Sequence, residues 1–111
     1  MATAAEEVAA HRRILDAIDA GGPVFVTFSG SWCASCRSAR PFIEAAAAAH
    51  AAEAQFFHAD VAVEEPLARE CGVSKLPAVA FFRDGDDQEL LTWPFTPSGL
   101  ERFIGQCVRG D

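Results

Sequence analysis

Apolar positions in this chain follow two rhythms that alternate along its length. Val8, Ile14, Leu15 and Ile18 approximate helical spacing, and Gly21-Gly22-Pro23 follows with residues that do not continue a helix, so a first helix ends near Ala20. Val24-Phe25-Val26-Thr27-Phe28 is apolar at nearly every position, the pattern of a short strand buried on both faces. From Cys33 to about Ala52 the alanine-rich composition predicts a helix, reinforced by the run Ala45 to Ala49. Pro41 lacks the N–H that a helix interior donates, which predicts a kink there. Gln55 to Val61 reads as a strand, Pro66 to Glu70 as a short helix stopped near Gly72, and Ala78 to Arg83 as a third strand. Asp84-Gly85 is a turn signal before Gln88 to Thr92 and predicts an antiparallel hairpin, and Pro97-Ser98-Gly99 precedes a last helix carrying Leu100, Phe103, Ile104 and Cys107. The order αβαβαββα, alternation followed by a hairpin, implies an α/β fold with a mixed sheet and helices on both faces.

Composition narrows the partners. A chain of 111 residues, half of them apolar, supports one core and reads as a single domain over 1–111. The formal charge of −7 comes from 16 acidic against 9 basic residues, and no Lys/Arg cluster offers a phosphate-binding stripe, so nucleic acid is not an expected partner. Met1 to Ala10 carries Glu6 and Glu7 and lacks both a basic start and a long apolar stretch. It does not read as a signal peptide, transit peptide or membrane span. Four cysteines in a leaderless chain with a substantial core do not read as a secreted disulfide scaffold; a cytoplasmic, monomeric protein without a membrane partner is expected.

The candidate chemistry lies where the first strand gives way to the long helix, at Trp32-Cys33-Ala34-Ser35-Cys36. With a helix starting near Cys33, positions i and i+3 share one face, so the two sulfurs approach bonding distance with little backbone adjustment. Cys33 then sits among unpaired N–H groups at the positive end of the helix dipole, which favours thiolate over thiol. Cys33 is the expected nucleophile and Cys36 the resolving thiol.

The apolar strand into Phe28, Trp32-Cys33-x-x-Cys36, Pro41, the Leu76-Pro77 pair before a strand and Asp84-Gly85 together resemble the thioredoxin family over roughly residues 11 to 109. The resemblance implies a thioredoxin fold, with a central mixed sheet of four to five strands; Met1 to Ala5 contains no β-rich run, which favours four. It implies a protein-disulfide reductase that cycles a Cys33–Cys36 dithiol and disulfide and needs no cofactor, because both electrons reside on the sulfurs. Its partners would be disulfide-containing proteins and a thioredoxin reductase-like or small-thiol electron donor. Resemblance further implies that Pro77 is cis and that Leu76 and Pro77 form the platform pairing with an extended substrate segment, with Trp32 lining the groove.

Several positions depart from the family pattern. Ala34-Ser35 replaces the usual Gly-Pro between the cysteines. A hydroxyl near the sulfurs stabilises the Cys33 thiolate and is expected to make the disulfide more easily reduced. Thr27 and His58 stand where the family places a buried Asp and a nearby Lys, so assistance in deprotonating Cys36 falls to His58, water or the Cys33 thiolate; His58 has the alternative of facing solvent. Trp93-Pro94 stands near a small Gly bordering the groove, where Trp93 either reshapes the groove or packs into the core edge. A thioredoxin-fold interaction module, or an electron donor with a restricted partner and weak general activity, is the alternative function.

Other residues have plainer readings. Cys71 and Cys107 suit small buried positions, though Cys71, preceding Gly72-Val73 on the approach to Pro77, is a candidate for oxidative regulation near the dithiol. No second C-x-x-C accompanies His50 or His58, so a structural metal is not expected. Arg37 is either an electrostatic aid to the thiolate or a solvated side chain, and Asp60 a turn residue.

Overall fold

The computed structural model describes residues 4–110. The elements follow the expected order: α1 (Ala4–Asp19), β1 (Val24–Ser29), α2 (Ala34–Ala49), β2 (Gln55–Asp60), α3 (Glu65–Glu70), β3 (Ala78–Arg83), β4 (Asp86–Thr92) and α4 (Pro97–Arg109). Among the described residues the sheet has four strands in the order β2-β1-β3-β4. Met1 to Thr3 lie outside the described residues, and Ala4 and Ala5 belong to α1. β1 pairs parallel with β2 and antiparallel with β3, and β3 pairs antiparallel with β4.

The two-residue period of β1 sorts the core into two layers. Val24, Val26 and Phe28 pack with Ile14 and Ile18 of α1 and Leu67 of α3. Phe25 faces the other way, among Ala46 of α2 and Leu100 and Ile104 of α4. Phe25 is fully buried and stacks on Phe56 at 4.9 Å between ring centres, with Phe81 at 4.8 Å and Phe103 at 6.1 Å. The same alternation directs Thr27, also buried, to the α2 side of the sheet.

Element ends differ from the sequence reading for identifiable reasons. β4 starts at Asp86, not Gln88, because Asp84 and Gly85 both take positive φ, 58° and 82°, in a two-residue turn that lets the strands pair at once. The register then shifts between Phe81 and Phe82, opposite Glu89 and Asp87 respectively. β2 stops at Asp60, whose carboxylate accepts a hydrogen bond from the Ala62 N–H, as a turn residue should. α2 runs across Pro41 and ends at Ala49, three residues before the expected Ala52, because the His50 cap closes it.

His50 does more than close the helix. Its Nδ1 lies 2.7 Å from Glu53 Oε1 and its Nε2 2.6 Å from Glu101 Oε2, tying the end of α2 to α4. The hydrogen bond to Glu101, and then that to Glu53, raise its pKa above the ordinary 6.5. A raised histidine pKa stabilises the fold fully below the unfolded value, and that contribution is lost as pH rises through the folded value. His50→Ala is therefore expected to lower the melting temperature at pH 5.5 and to narrow its gap to wild type by pH 9; an equal gap at both values would remove the charged bridge as the cause.

The turn before α3 holds a buried carboxylate that the sequence reading did not single out. Glu64 is 3% exposed and its Oε1 lies 2.5 Å from His11 Nδ1 on α1. That partner offsets the cost of removing the carboxylate from water and fastens α1 to the α3 turn.

Candidate active site

The dithiol sits where β1 hands over to α2. Cys33 caps the helix with extended backbone, φ −89° and ψ 109°, and its Sγ accepts a hydrogen bond from the Cys36 N–H at 3.1 Å. Its carbonyl accepts from the Arg37 N–H, and its own N–H donates to Gly30. Cys33 and Cys36 are paired as a disulfide, their Cα atoms 5.2 Å apart, and both are buried. On reduction, the same backbone N–H and the dipole of a helix of 16 residues favour negative charge on Cys33.

Trp32 lies beside the pair with 65% of its surface exposed. Its ring lies over Gly30, where a Cβ would come within 2.7 Å of Cη2, so any larger residue there would push the exposed ring aside. Arg37 is exposed, and its Nη1 donates to the Ser31 carbonyl at 3.5 Å.

The loop before β3 comes up against the dithiol. The Leu76–Pro77 peptide is cis, as the resemblance implied, and Pro77 is fully buried. Ser35 joins the two segments: its Oγ is 3.2 Å from Cys33 Sγ and donates to the Leu76 carbonyl at 3.0 Å. β4 brings Trp93 alongside, with its N–H donating to the Pro77 carbonyl at 3.0 Å. The Trp93 ring meets Phe95 edge-on at 5.4 Å, and Phe95 meets Phe42 of α2 at 6.0 Å. Trp93 thus borders the cis proline through its backbone while its ring belongs to an aromatic row. The Trp93–Pro94 peptide is also cis, a feature the sequence did not reveal.

Behind the dithiol a cavity of about 530 Å³ is lined by Thr27, Ser29, Cys36, Arg40, His58 and Pro77, among others. Thr27 and His58 stand opposite each other in the β1–β2 register, so the two positions that depart from the family pattern share a wall with Cys36. His58 keeps substantial solvent exposure while its Nε2 lies 2.5 Å from Ser29 Oγ. Loss of water around its ring, and then the Arg40 charge, push its pKa below 6.5. His58 is therefore neutral, and a proton acceptor, at neutral pH.

The remaining cysteines stand apart from this chemistry. Cys71 packs among Ile14, Phe28 and Leu67, and Cys107 lies in the opposite layer with Leu100 and Ile104. Burial pushes their pKa values up to about 12 and about 11, which keeps both as neutral thiols near pH 7. Cys71 and Cys107 are accordingly core residues, as small buried positions were expected to be, and the alternative of Cys71 as an oxidatively regulated thiol is not favoured by its burial. Among the described residues no group of three or more His, Cys, Asp or Glu side chains is placed to hold a metal ion.

A reversible disulfide at a helix N-terminus beside a cis proline is the architecture of a thiol–disulfide oxidoreductase. The thioredoxin family model matches residues 4–106. Thioredoxin C-2 of Corynebacterium nephridii is 32% identical over 93 residues, covering 84% of this chain and 86% of its own. Thioredoxin of Mycobacterium tuberculosis is 30% identical over 93 residues, covering 84% of this chain and 80% of its own. Among solved structures, the germline-specific thioredoxin Deadhead of Drosophila melanogaster superposes with a TM-score of 0.76 at 21% identity, covering 96% of this chain and 98% of that one. Oxidised mitochondrial thioredoxin 3 of Saccharomyces cerevisiae gives 0.74 at 21% identity, over 86% and 89%. The chain belongs to the thioredoxin family, and its redox centre is its own cysteine pair.

Proposed function

We propose that this protein reduces disulfides of other proteins, with Cys33 attacking and Cys36 resolving. The Cys33 thiolate attacks one sulfur of the substrate disulfide; that S–S bond breaks, a Cys33–substrate disulfide forms, and the other substrate sulfur leaves as a thiolate that takes a proton. Cys36, once deprotonated, attacks Cys33 Sγ, releasing the second substrate thiolate and leaving Cys33–Cys36 oxidised. A reductase of the thioredoxin-reductase type or a small thiol returns two electrons. The observation that carries the assignment is Cys33 Sγ held at the helix cap by the Cys36 N–H, 3.1 Å away. Leu76 and Pro77 form the platform for an extended substrate segment, with Trp32 and Trp93 at its borders. The chain works as a monomer of one domain, in the cytoplasm.

Insulin-disulfide reduction with dithiothreitol as donor tests this reading. Turnover well above the uncatalysed rate is expected; background reduction by folded protein would replace general reductase activity with a restricted partner.

His58 takes the proton of Cys36 across the shared cavity in the resolving step. Neutral histidine is the working form, so its assistance is present above its lowered pKa and fades as pH falls through it. His58→Ala is expected to slow resolution of a preformed mixed disulfide near pH 7 by roughly 100-fold, the low end of general-base assistance. An unchanged pH–rate profile would exclude the role.

A further inference from the structure

We propose that the Ser35 hydroxyl is a switch that competes with substrate for the Leu76 carbonyl when Cys33 carries no negative charge and leaves that carbonyl to substrate when Cys33 is a thiolate. The proposal rests on the reading of Cys33 as nucleophile and Leu76 as substrate platform. Its physical basis is a shortage of hydrogens. Ser35 Oγ stands 3.2 Å from Cys33 Sγ and 3.0 Å from the Leu76 oxygen, yet a hydroxyl has one hydrogen to give. In the disulfide, sulfur is a weak acceptor and the carbonyl a strong one, so the hydrogen goes to Leu76. In the reduced form with Cys33 ionised, the Cys33 anion is the stronger acceptor. The hydrogen then turns to sulfur by rotation about the Cβ–Oγ bond alone, with no heavy atom displaced. Ser35 is half-buried, which limits competition from water.

The switch follows the charge through the reaction. Reduced protein, the form that must capture a substrate, presents a Leu76 carbonyl released for a substrate N–H. Attack consumes the Cys33 charge as the mixed disulfide forms, and the Ser35 hydrogen returns to Leu76, where it competes with the substrate backbone. Substrate hold is thereby weakened as Cys36 completes the exchange. Ser35 is a positioning residue here: it acts on the substrate through the carbonyl.

Leu76-Pro77 is the one Leu-Pro pair in the sequence, so carbonyl-¹³C leucine combined with ¹⁵N proline isolates the Leu76 carbonyl resonance in the full chain. In wild type this resonance is expected to move upfield on reduction at a pH where Cys33 is ionised, as the carbonyl loses its donor. Ser35→Ala should hold it at the upfield position in both redox states, and Ser35→Thr should restore the displacement. A fixed resonance in wild type, or an undiminished displacement in Ser35→Ala, would overturn the switch. Its consequence is read with S-carboxamidomethylated insulin B chain, which cannot exchange: wild type is expected to bind it about 2- to 10-fold more tightly when reduced, and Ser35→Ala equally in both forms. Equal binding by the two wild-type forms would overturn the release step. Insulin turnover by the same preparations reports separately on the reductase reading, since the carbonyl resonance needs no substrate.

Discussion

Cys33→Ser is expected to bring insulin reduction down to the uncatalysed rate, while Cys36→Ser completes the first step and stalls as a mixed disulfide. The asymmetry follows from the helix cap. Cys33 Sγ is the atom that accepts the Cys36 N–H, and a serine hydroxyl in its place stays protonated near neutral pH and attacks no disulfide. Cys36, a turn further into α2, has no role until a bond to Cys33 exists. Turnover assays paired with mass spectrometry of the trapped species distinguish the two variants. A stable adduct on Cys33→Ser, with none on Cys36→Ser, would reverse the assignment and make Cys36 the attacking group.

Phe25→Ala is expected to destabilise the fold by about 3–5 kcal/mol, the range for truncating a buried phenylalanine. Phe25 is fully buried on the central strand and meets Phe56, Phe81 and Phe103, so its removal opens a void between β1 and α4 that four elements would have to move to fill. Against a typical total of about 5–15 kcal/mol, this is a large fraction. The melting temperature should fall on the order of 15 °C for a domain of this size. Urea unfolding of wild type, Phe25→Ala and Phe25→Leu measures it, with Phe25→Leu intermediate. A loss under about 1 kcal/mol would show that the layer between the sheet and α4 repacks freely.

The sequence was most legible where local chemistry dictates structure. Val24 to Phe28 is apolar at every position but Thr27 because both its faces are covered, and the dithiol announced itself by spacing at a strand-to-helix junction. The hairpin turn was equally plain, since Asp84-Gly85 accepts positive φ at both residues. What stayed hidden depends on partners distant in the chain. His11 meets Glu64 across 53 residues and His50 meets Glu101 across 51, and no local pattern marks either pair. Cys71 was read as a small buried residue and is one, but which residues enclose it, the cluster with Ile14, Phe28 and Leu67, needed the fold. The link from Ser35 to Leu76 also needed the fold, because the chain separates them by 41 residues.

The outer edge of the sheet has a bearing on how these molecules behave in a crowd. β4 lies at one end of the strand order, and Asp86, Asp87 and Glu89 along it are exposed. An open strand edge is a template for another copy, and a row of like charges makes two such edges repel. Keeping Asp87 ionised costs something: burial and the charges of Glu70 and Glu89 raise its pKa, so its negative form is held against a local penalty. A little of the fold's own stability is thus exchanged for colloidal independence, and acidification, by discharging Asp87 before an ordinary aspartate, is the condition under which that independence weakens first.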